Sequence, residues 1–446
     1  MTSTLFKLAK IVSSGIEDIE RVYSERELDY PSLDEPFLPS TFDDNSSLAL
    51  QRQLVIAAAA QIIATLTAPI DVLKQSAMSF YTAAALGFVV DIQLADVLKD
   101  AGCLGLHVDS IAAATGTDAN NLKRILRYLA TRHIFREIAP DIYTNNRISS
   151  LLTTTRQAQE LEGQTKTFTL SPISAHVSHF ADEGLRCAHS ISPFLRGQNE
   201  EAQTPFNAAV NFKSSIWDWY VQPGNEWRAR RFAAAMTSNA KRFPSRIISD
   251  GIEAESLHPG DIVVDVGGGV GSATLELYKF FPHLRYVVQD LESPIAAAKR
   301  FWNGKAPDAI ASGTVTFQVH SFFSEQVVKA AKVYFLRFIT HDWCDSDVQV
   351  ILTHLRNASA PDTRLVLFET IARCTCVAED SVPNPLLGNL GIAGAGIDTA
   401  VDLHLLSLFN GKERTEQDFR NLGVETGWEL QKIGRGILAS IVYKPK

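Results

Sequence analysis

The sequence predicts an α/β chain in two parts: a mainly helical domain over residues 1–225 and, over 226–446, a domain built on a parallel-rich, doubly wound sheet. Three observations carry this. From Gly260 onward, short apolar runs alternate with amphipathic stretches, the pattern of parallel strands joined by helices. Between residues 52 and 99, alanine, leucine, isoleucine and valine dominate with few breakers, which suits long helices. At 446 residues the chain is too long for one ordinary core and fits two.

The N-terminal half opens with a short amphipathic helix. A linker over 28–48 follows, carrying Pro31, Pro36 and Pro39. Two long buried helices are expected over 52–74 and 77–99, with apolar surface suited to a second copy of the chain, so a homodimer is expected. The longest apolar runs, 54–66 and 80–90, fall short of the ~20 residues that cross a bilayer. The first residues lack the apolar core of a signal peptide. A cytoplasmic protein without a membrane partner is the expectation.

Residues 107–146 read as a winged helix-turn-helix. Val108, Asp109 and Ser110 open one helix, Thr115, Gly116 and Thr117 turn it, 119–131 forms a second, and 134–138 can pair with 142–144 as a wing. Lys123, Arg124 and Arg127 would then face DNA. The net charge of -8 opposes attraction to phosphate backbones and favours a packing module without a nucleic-acid partner.

An aromatic region follows with Trp217, Trp219, Tyr220 and Trp227. Such rings commonly fill cores. Their position ahead of the sheet also makes Trp217 and Trp219, with Phe206, Phe212, Met236 and Phe243, a candidate wall for a flat hydrophobic molecule. The five cysteines, Cys103, Cys187, Cys344, Cys374 and Cys376, form no disulfide framework. Cys374 and Cys376 lack the second pair or nearby histidine that would complete a tetrahedral site, so no metal is expected.

In the second half, 262–266, 286–288, 333–338 and 365–368 read as strands and 272–281 as a helix. The run Val263-Val264-Asp265-Val266-Gly267-Gly268-Gly269-Val270-Gly271 is a strand entering a glycine loop and then a helix. Glycines let the backbone bend and lie against a ligand, at the carboxyl end of the strand where open α/β sheets bind ligands. The dinucleotide pattern G-x-G-x-x-G is absent, because its last glycine would fall on Ser272; the spacing is G-x-G-x-G. Asp290, closing the second strand, can accept hydrogen bonds from ribose hydroxyls. Loop and acid together point to an adenosyl group.

Four segments, Asp265-Val266-Gly267-Gly268-Gly269-Val270-Gly271, Val288-Gln289-Asp290-Leu291, 336–345 with His341-Asp342-Trp343, and 411–416 with Lys412-Glu413-Arg414-Thr415, closely resemble motifs of the small-molecule S-adenosylmethionine-dependent O-methyltransferases of plants and fungi, the fungal branch being nearer. They occur in the family's order. The resemblance implies a Rossmann-like catalytic domain and an N-terminal dimerisation domain. It implies S-adenosyl-L-methionine as cofactor and a small hydroxylated acceptor as partner. Gly267, Gly269 and Gly271 would line the methionine end of the cofactor, Asp290 its ribose and Phe322 its adenine, with Arg337 the basic residue nearby. The family's acid before the adenine contact is Ser321 here, which removes one polar contact. Trp217, Met236 and Trp343 are candidates for the acceptor pocket.

The chemistry requires a base. Methyl transfer from a sulfonium is an in-line displacement that needs an aligned, deprotonated oxygen, and a free phenol of pKa ~10 is mostly protonated at neutral pH. His341, after an apolar strand, is placed to take that proton. Glu369 and Glu413 match the family's two acids that frame the histidine. Asp342 and Asp345 read as caps of the next helix. The alternatives are an enzyme that binds the same cofactor but rearranges or cyclises its substrate without methylation, and a DNA-binding regulator built on the winged module.

Overall fold

The computed structural model describes residues 3–39, 46–154, 171–198, 201–240, 246–376, 382–436 and 438–446. Phe243 and residues 40–45 of the expected linker lie outside them. The chain forms two compact units, Met1–Lys241 with Cys374–Ile397, and Arg242–Arg373 with Asp398–Lys446.

The first unit begins with α1 (Thr4–Ser24), α2 (Ser46–Leu66), α3 (Pro69–Ala77), α4 (Phe80–Asp91) and α5 (Leu94–Ala101). The two long helices expected over 52–74 and 77–99 are thus four. Pro69 has no N–H to continue α2 and drives the preceding Ala68 to an extended ψ of 131°. Gln93, at φ 51°, separates α4 from α5. Nor is this stretch buried throughout: Ile63, Leu66, Ile70, Leu73, Met78 and Phe80 are exposed in the single chain. The apolar run also starts earlier than expected, and Leu48–Leu66 is long and apolar enough to cross a membrane by length and composition. Its inner face packs on α1 and on the later segment, where Leu8, Ala57, Ala58, Leu386 and Leu390 share one buried cluster.

Helices Val108–Thr115 and Ala119–Ala130 pack against a three-stranded antiparallel sheet of β1 (Leu106–His107), β2 (Arg136–Ala139) and β3 (Ile142–Thr144), ordered β1-β3-β2. Leu122, Leu126 and Leu129 recur at helical spacing and are buried with Ile111, Phe135 and Tyr143. Lys123 is ion-paired with Asp141 in the turn between β2 and β3. The two-residue β1 is too short to leave a strand pattern in sequence.

The second unit holds a seven-stranded sheet of β4 (Ile262–Val266), β5 (Arg285–Asp290), β6 (Val315–Val319), β7 (Val333–Arg337), β8 (Arg364–Glu369), β9 (Trp428–Gly434) and β10 (Ala439–Pro445). Their order is β6-β5-β4-β7-β8-β10-β9. β4 to β8 pair in parallel, and β10 runs antiparallel between β8 and β9. Sequence patterns missed β6, β9 and β10, whose charged, polar or exposed residues interrupt the apolar signal. The central strands are apolar on both faces. Val263, Val288, Phe335 and Phe368 lie in one buried cluster, and Val264, Tyr334, Leu336 and Leu367 in another. From β4 the chain builds outward through β5 and β6, then returns to lay β7 on the other side. That reversal opens a crevice at the carboxyl ends of β4 and β7, where α/β sheets take ligands.

Candidate active site

The glycine loop leaves β4 at this crevice. Gly267, Gly269 and Gly271 have φ values of 72°, 57° and 73°, a region that favours glycine. The N–H groups of Gly267 and Gly268 donate to the Gln289 carbonyl at 2.9 and 3.0 Å, and that of Gly269 donates to Asp290 Oδ2 at 2.8 Å. The Leu291 N–H donates to the other Asp290 oxygen at 2.7 Å. Burial holds the Asp290 carboxyl above its usual range, against these two N–H groups. A Cβ at Gly269 would meet nothing within 4 Å, whereas one at Gly271 would stand 2.8 Å from Trp302 Nε1. The Gly271 N–H is turned back to the Gly268 carbonyl. Gly271 therefore shapes the loop and lets it sit on the core.

Below the loop, Asp265 is buried and accepts from the Thr274 hydroxyl at 2.7 Å. Burial lifts its pKa to about 6, partly offset by Thr274 and by the positive charge of Arg337. Arg337, at the end of β7, donates to the Ser272 hydroxyl at 3.1 Å. Ser321 takes part in a local turn, its hydroxyl accepting from the Phe323 N–H. The Trp343 ring packs edge-on against Phe322 and Phe323, with centroids 5.8 and 4.7 Å away. The structure thus groups Trp343 with the candidate adenine contact.

His341 stands in a single 3-10 turn, Thr340–Asp342. Just before it, Phe338 adopts φ 56°, costly for a bulky residue and held by surrounding bonds. The Phe338 N–H donates to the Phe368 carbonyl at 3.0 Å. The N–H groups of Ile339 and Thr340 and the Thr340 hydroxyl all donate to Glu369 Oε1, at 3.2, 2.7 and 2.7 Å. Glu369 therefore fixes the turn as well as facing the ring. Its Oε2 lies 3.6 Å from His341 Nδ1, and Glu413 Oε1 lies 3.4 Å from the same nitrogen. The Glu413 N–H donates to Asp402 Oδ1 at 2.7 Å. The imidazole stacks on Phe338, with centroids 5.6 Å apart.

Asp342 and Asp345 do not cap the next helix, whose N-cap is Cys344 without a side-chain bond. Asp342 Oδ1 lies 3.5 Å from His341 Nε2, and Asp345 accepts from Lys412 and Arg414. The helix starts later than the acid pattern suggests, leaving Asp342 on the preceding turn. Burial alone would lower the His341 pKa, but Glu369, Asp342 and Glu413 outweigh it and push it up to about 10. Burial, with Glu369 and Glu413, raises Asp342 to about 7 against the pull of His341.

In the helical unit, Trp217 is half-buried and sets its ring edge against Phe232 at 5.4 Å. Met236 is half-buried on Glu226–Ala240. Phe206 is fully buried against Trp219 and belongs to the core. Sequence reasoning missed Asp342, Phe338 and Arg414 as parts of this site. Only their adjacency to His341 and Glu413 pointed to them.

Residues 192–429 match the O-methyltransferase domain family, and residues 75–155 the O-methyltransferase dimerisation domain. An O-methyltransferase of Armillaria gallica is 35% identical across 97% of this chain and 96% of its own. The chain belongs to the O-methyltransferase family. The enzyme is an S-adenosylmethionine-dependent O-methyltransferase. It is also similar to 4-O-methyltransferase 1 of Phanerochaete chrysosporium, with 31% identity over 98% of this chain and 96% of that one. In fold the enzyme resembles the solved structure of LepI in complex with SAM, at 19% identity and a TM-score of 0.71 over 97% of this chain and all of that one. It also resembles the mitomycin 7-O-methyltransferase MmcR, at 23% and 0.64 over 87% and 99%.

Proposed function

We propose that the enzyme methylates a phenolic hydroxyl of a flat, hydrophobic secondary metabolite, with His341 as general base and Glu369 and Glu413 holding its imidazole. One observation carries this reading: two buried carboxylates address the same nitrogen, Nδ1, of a histidine at the mouth of the sheet. A proton held on Nδ1 by the two glutamates leaves Nε2 as the nitrogen that accepts the proton of the acceptor hydroxyl. The tautomer follows from these partners.

The residues around the crevice fit the cofactor. Gly269 leaves open space at the loop, each Asp290 oxygen has lone-pair capacity beyond its one backbone donor, and the Phe322 ring is half-buried. S-adenosylmethionine supplies a methyl group already activated on a positively charged sulfur. Gly267 and Gly269 line its methionine end on a loop shaped by Gly271. Asp290 accepts from the ribose hydroxyls, Phe322 packs on the adenine with Trp343 behind it, and Arg337 braces the start of the following helix.

The working form is a homodimer. The dimerisation domain begins at residue 75, and the exposed apolar residues of α2 to α4 run into it from Ile63 through Phe80. A second copy covers that face.

The test is product analysis with methyl-labelled cofactor and a panel of phenols, on the wild type and His341→Gln. Label in the wild-type product, lost in the variant, is the expected result. An acceptor that rearranges while the label stays on the cofactor overturns the methylation reading.

A further inference from the structure

We propose that Arg414 is a positioning residue for methyl transfer: its buried guanidinium sets where the His341 imidazole stands between Glu369 and Glu413. The inference rests on the reading of His341 as the base. Arg414 is 1% exposed. One Nη donates to the Thr340 carbonyl, and the other donates to the Trp343 carbonyl at 2.8 Å. These carbonyls bracket His341 and Asp342. Asp345 Oδ1 accepts from Nε at 3.0 Å and from Nη2 at 2.8 Å, which fixes the plane of the guanidinium.

The turn needs such a clamp. It is one 3-10 turn following a residue at φ 56°, and its own bonds are long, 3.2 Å from the Asp342 N–H to the Ile339 carbonyl and 3.4 Å from the Trp343 N–H to the Thr340 carbonyl. Three consecutive residues meet it from one side. The Lys412 N–H donates to the His341 carbonyl at 3.0 Å, the Glu413 carboxylate faces the ring, and Arg414 holds the flanking carbonyls. Gly411 makes this approach possible, because a Cβ there would lie 2.1 Å from the His341 carbonyl oxygen. The Arg414 carbonyl accepts from the Ala372 N–H at 2.9 Å, just beyond Glu369. Arg414 thereby ties together the turn that carries the base and the two segments that carry its carboxylates.

The experiment compares Arg414→Lys and Arg414→Met with the wild type for kcat, both KM values and the pH profile of kcat. A lysine cannot hold both carbonyls and Asp345 in one plane, so kcat falls about tenfold; in Arg414→Met the turn drifts and kcat falls about 100-fold, the scale of a 1 Å misplacement. KM for the cofactor stays within about threefold of the wild type, because the Asp290 side of the crevice is untouched. The groups facing His341 are Glu369 from β8, Glu413 from the 411–414 segment, Asp342 from its own turn, and the Phe338 ring. With Glu369 and Glu413 held less closely, the acid limb of kcat moves down toward the ordinary imidazole value of 6.5.

A folded Arg414→Lys with wild-type kcat and an unmoved limb overturns the inference. So does a kcat loss that tracks the unfolded fraction with the limb in place. If Arg414→Met does not fold, Gly411→Ala presses on the His341 carbonyl, which lies between the two carbonyls that Arg414 holds, and the same pair of changes is expected of it; wild-type kcat and limb in that variant overturn the inference. His341→Gln separates the failures. Wild-type turnover in that variant overturns the base reading together with this inference, whereas loss of turnover there beside an unaffected Arg414→Lys overturns this inference alone.

Discussion

Around His341, three carboxylates compete for one imidazole, two on Nδ1 and one near Nε2. Replacing the ring by glutamine keeps a polar side chain of similar size but removes proton acceptance. Turnover of His341→Gln on an ordinary phenol is expected to fall roughly 100-fold or more, with cofactor binding by calorimetry preserved. A base must be deprotonated, and this one is raised from 6.5 to about 10. Wild-type kcat should therefore rise with pH along a limb centred above 6.5, and that limb should vanish in the variant. Stability moves the other way. The folded state binds this proton more tightly than the unfolded chain, so the contribution is full below about 6.5 and lost as pH rises through about 10. The urea midpoint of the wild type should drop more between pH 7 and 10 than that of His341→Gln. Asp342, raised from 3.8 to about 7, gives a contribution that is full below about 3.8 and lost as pH rises through about 7, a loss common to the wild type and His341→Gln to the extent that its other neighbours set it. On the cofactor side, Asp290→Ala should weaken S-adenosylmethionine binding by about 1.5 to 3 kcal/mol, the range for hydrogen bonds to a charged group, read by calorimetry. Asp290 was legible because a strand end and a glycine loop frame it. Glu369 and Glu413 were legible only through family motifs, since nothing local relates them to a histidine far away in sequence. Asp342 was misread because an acid ahead of a helix has the pattern of a cap.

The glycine loop shows how one short element answers to two demands, an open crevice on one side and a packed core on the other. Gly271 serves the second. Gly271→Ala would place a Cβ 2.8 Å from Trp302 Nε1 at a φ of 73°, so a loss of about 1 to 3 kcal/mol in folding stability is expected by urea titration. Cofactor affinity of the folded fraction should change little; a selective loss of affinity with stability intact would instead place Gly271 against the ligand. Strands β4, β5, β7 and β8 announced themselves as apolar runs because both faces of the parallel sheet are covered. The outer strands did not, since β6 and β9 each bury only their first residue fully and carry polar or exposed residues beyond it. Helix breaks at Ala68 and Gln93 went unread for different reasons. Pro69 was a visible signal, whereas a glutamine in the left-handed region is imposed by tertiary packing and leaves no compositional mark.

At the scale of the whole molecule, the division into a helical unit and a sheet unit follows from periodicity, and the family assignment from four short motifs in order. The helices of this stretch were expected to be buried with apolar surface left for a second copy; in the single chain Ala57, Ala58, Val89 and Val90 are buried, while Ile63, Leu66, Ile70, Leu73, Met78 and Phe80 face outward. Sedimentation should give a two-subunit particle, and Ile63→Asp combined with Leu73→Asp should give a monomer. A wild-type monomer that floats with lipid vesicles would assign that face to a membrane instead.

The chain crosses between its two units three times, because Cys374–Ile397 returns to the helical unit before the last helices and strands are made. Leu386 and Leu390 from that return fill the cluster with Leu8, Ala57 and Ala58. The helical unit is consequently not a detachable cassette. A polypeptide ending at residue 241 would leave α1 and α2 with an open seam. A chimera that exchanges only the N-terminal stretch with a relative would set foreign helices against the retained 382–397 segment, so recombination between such enzymes must carry both stretches together to preserve the fit.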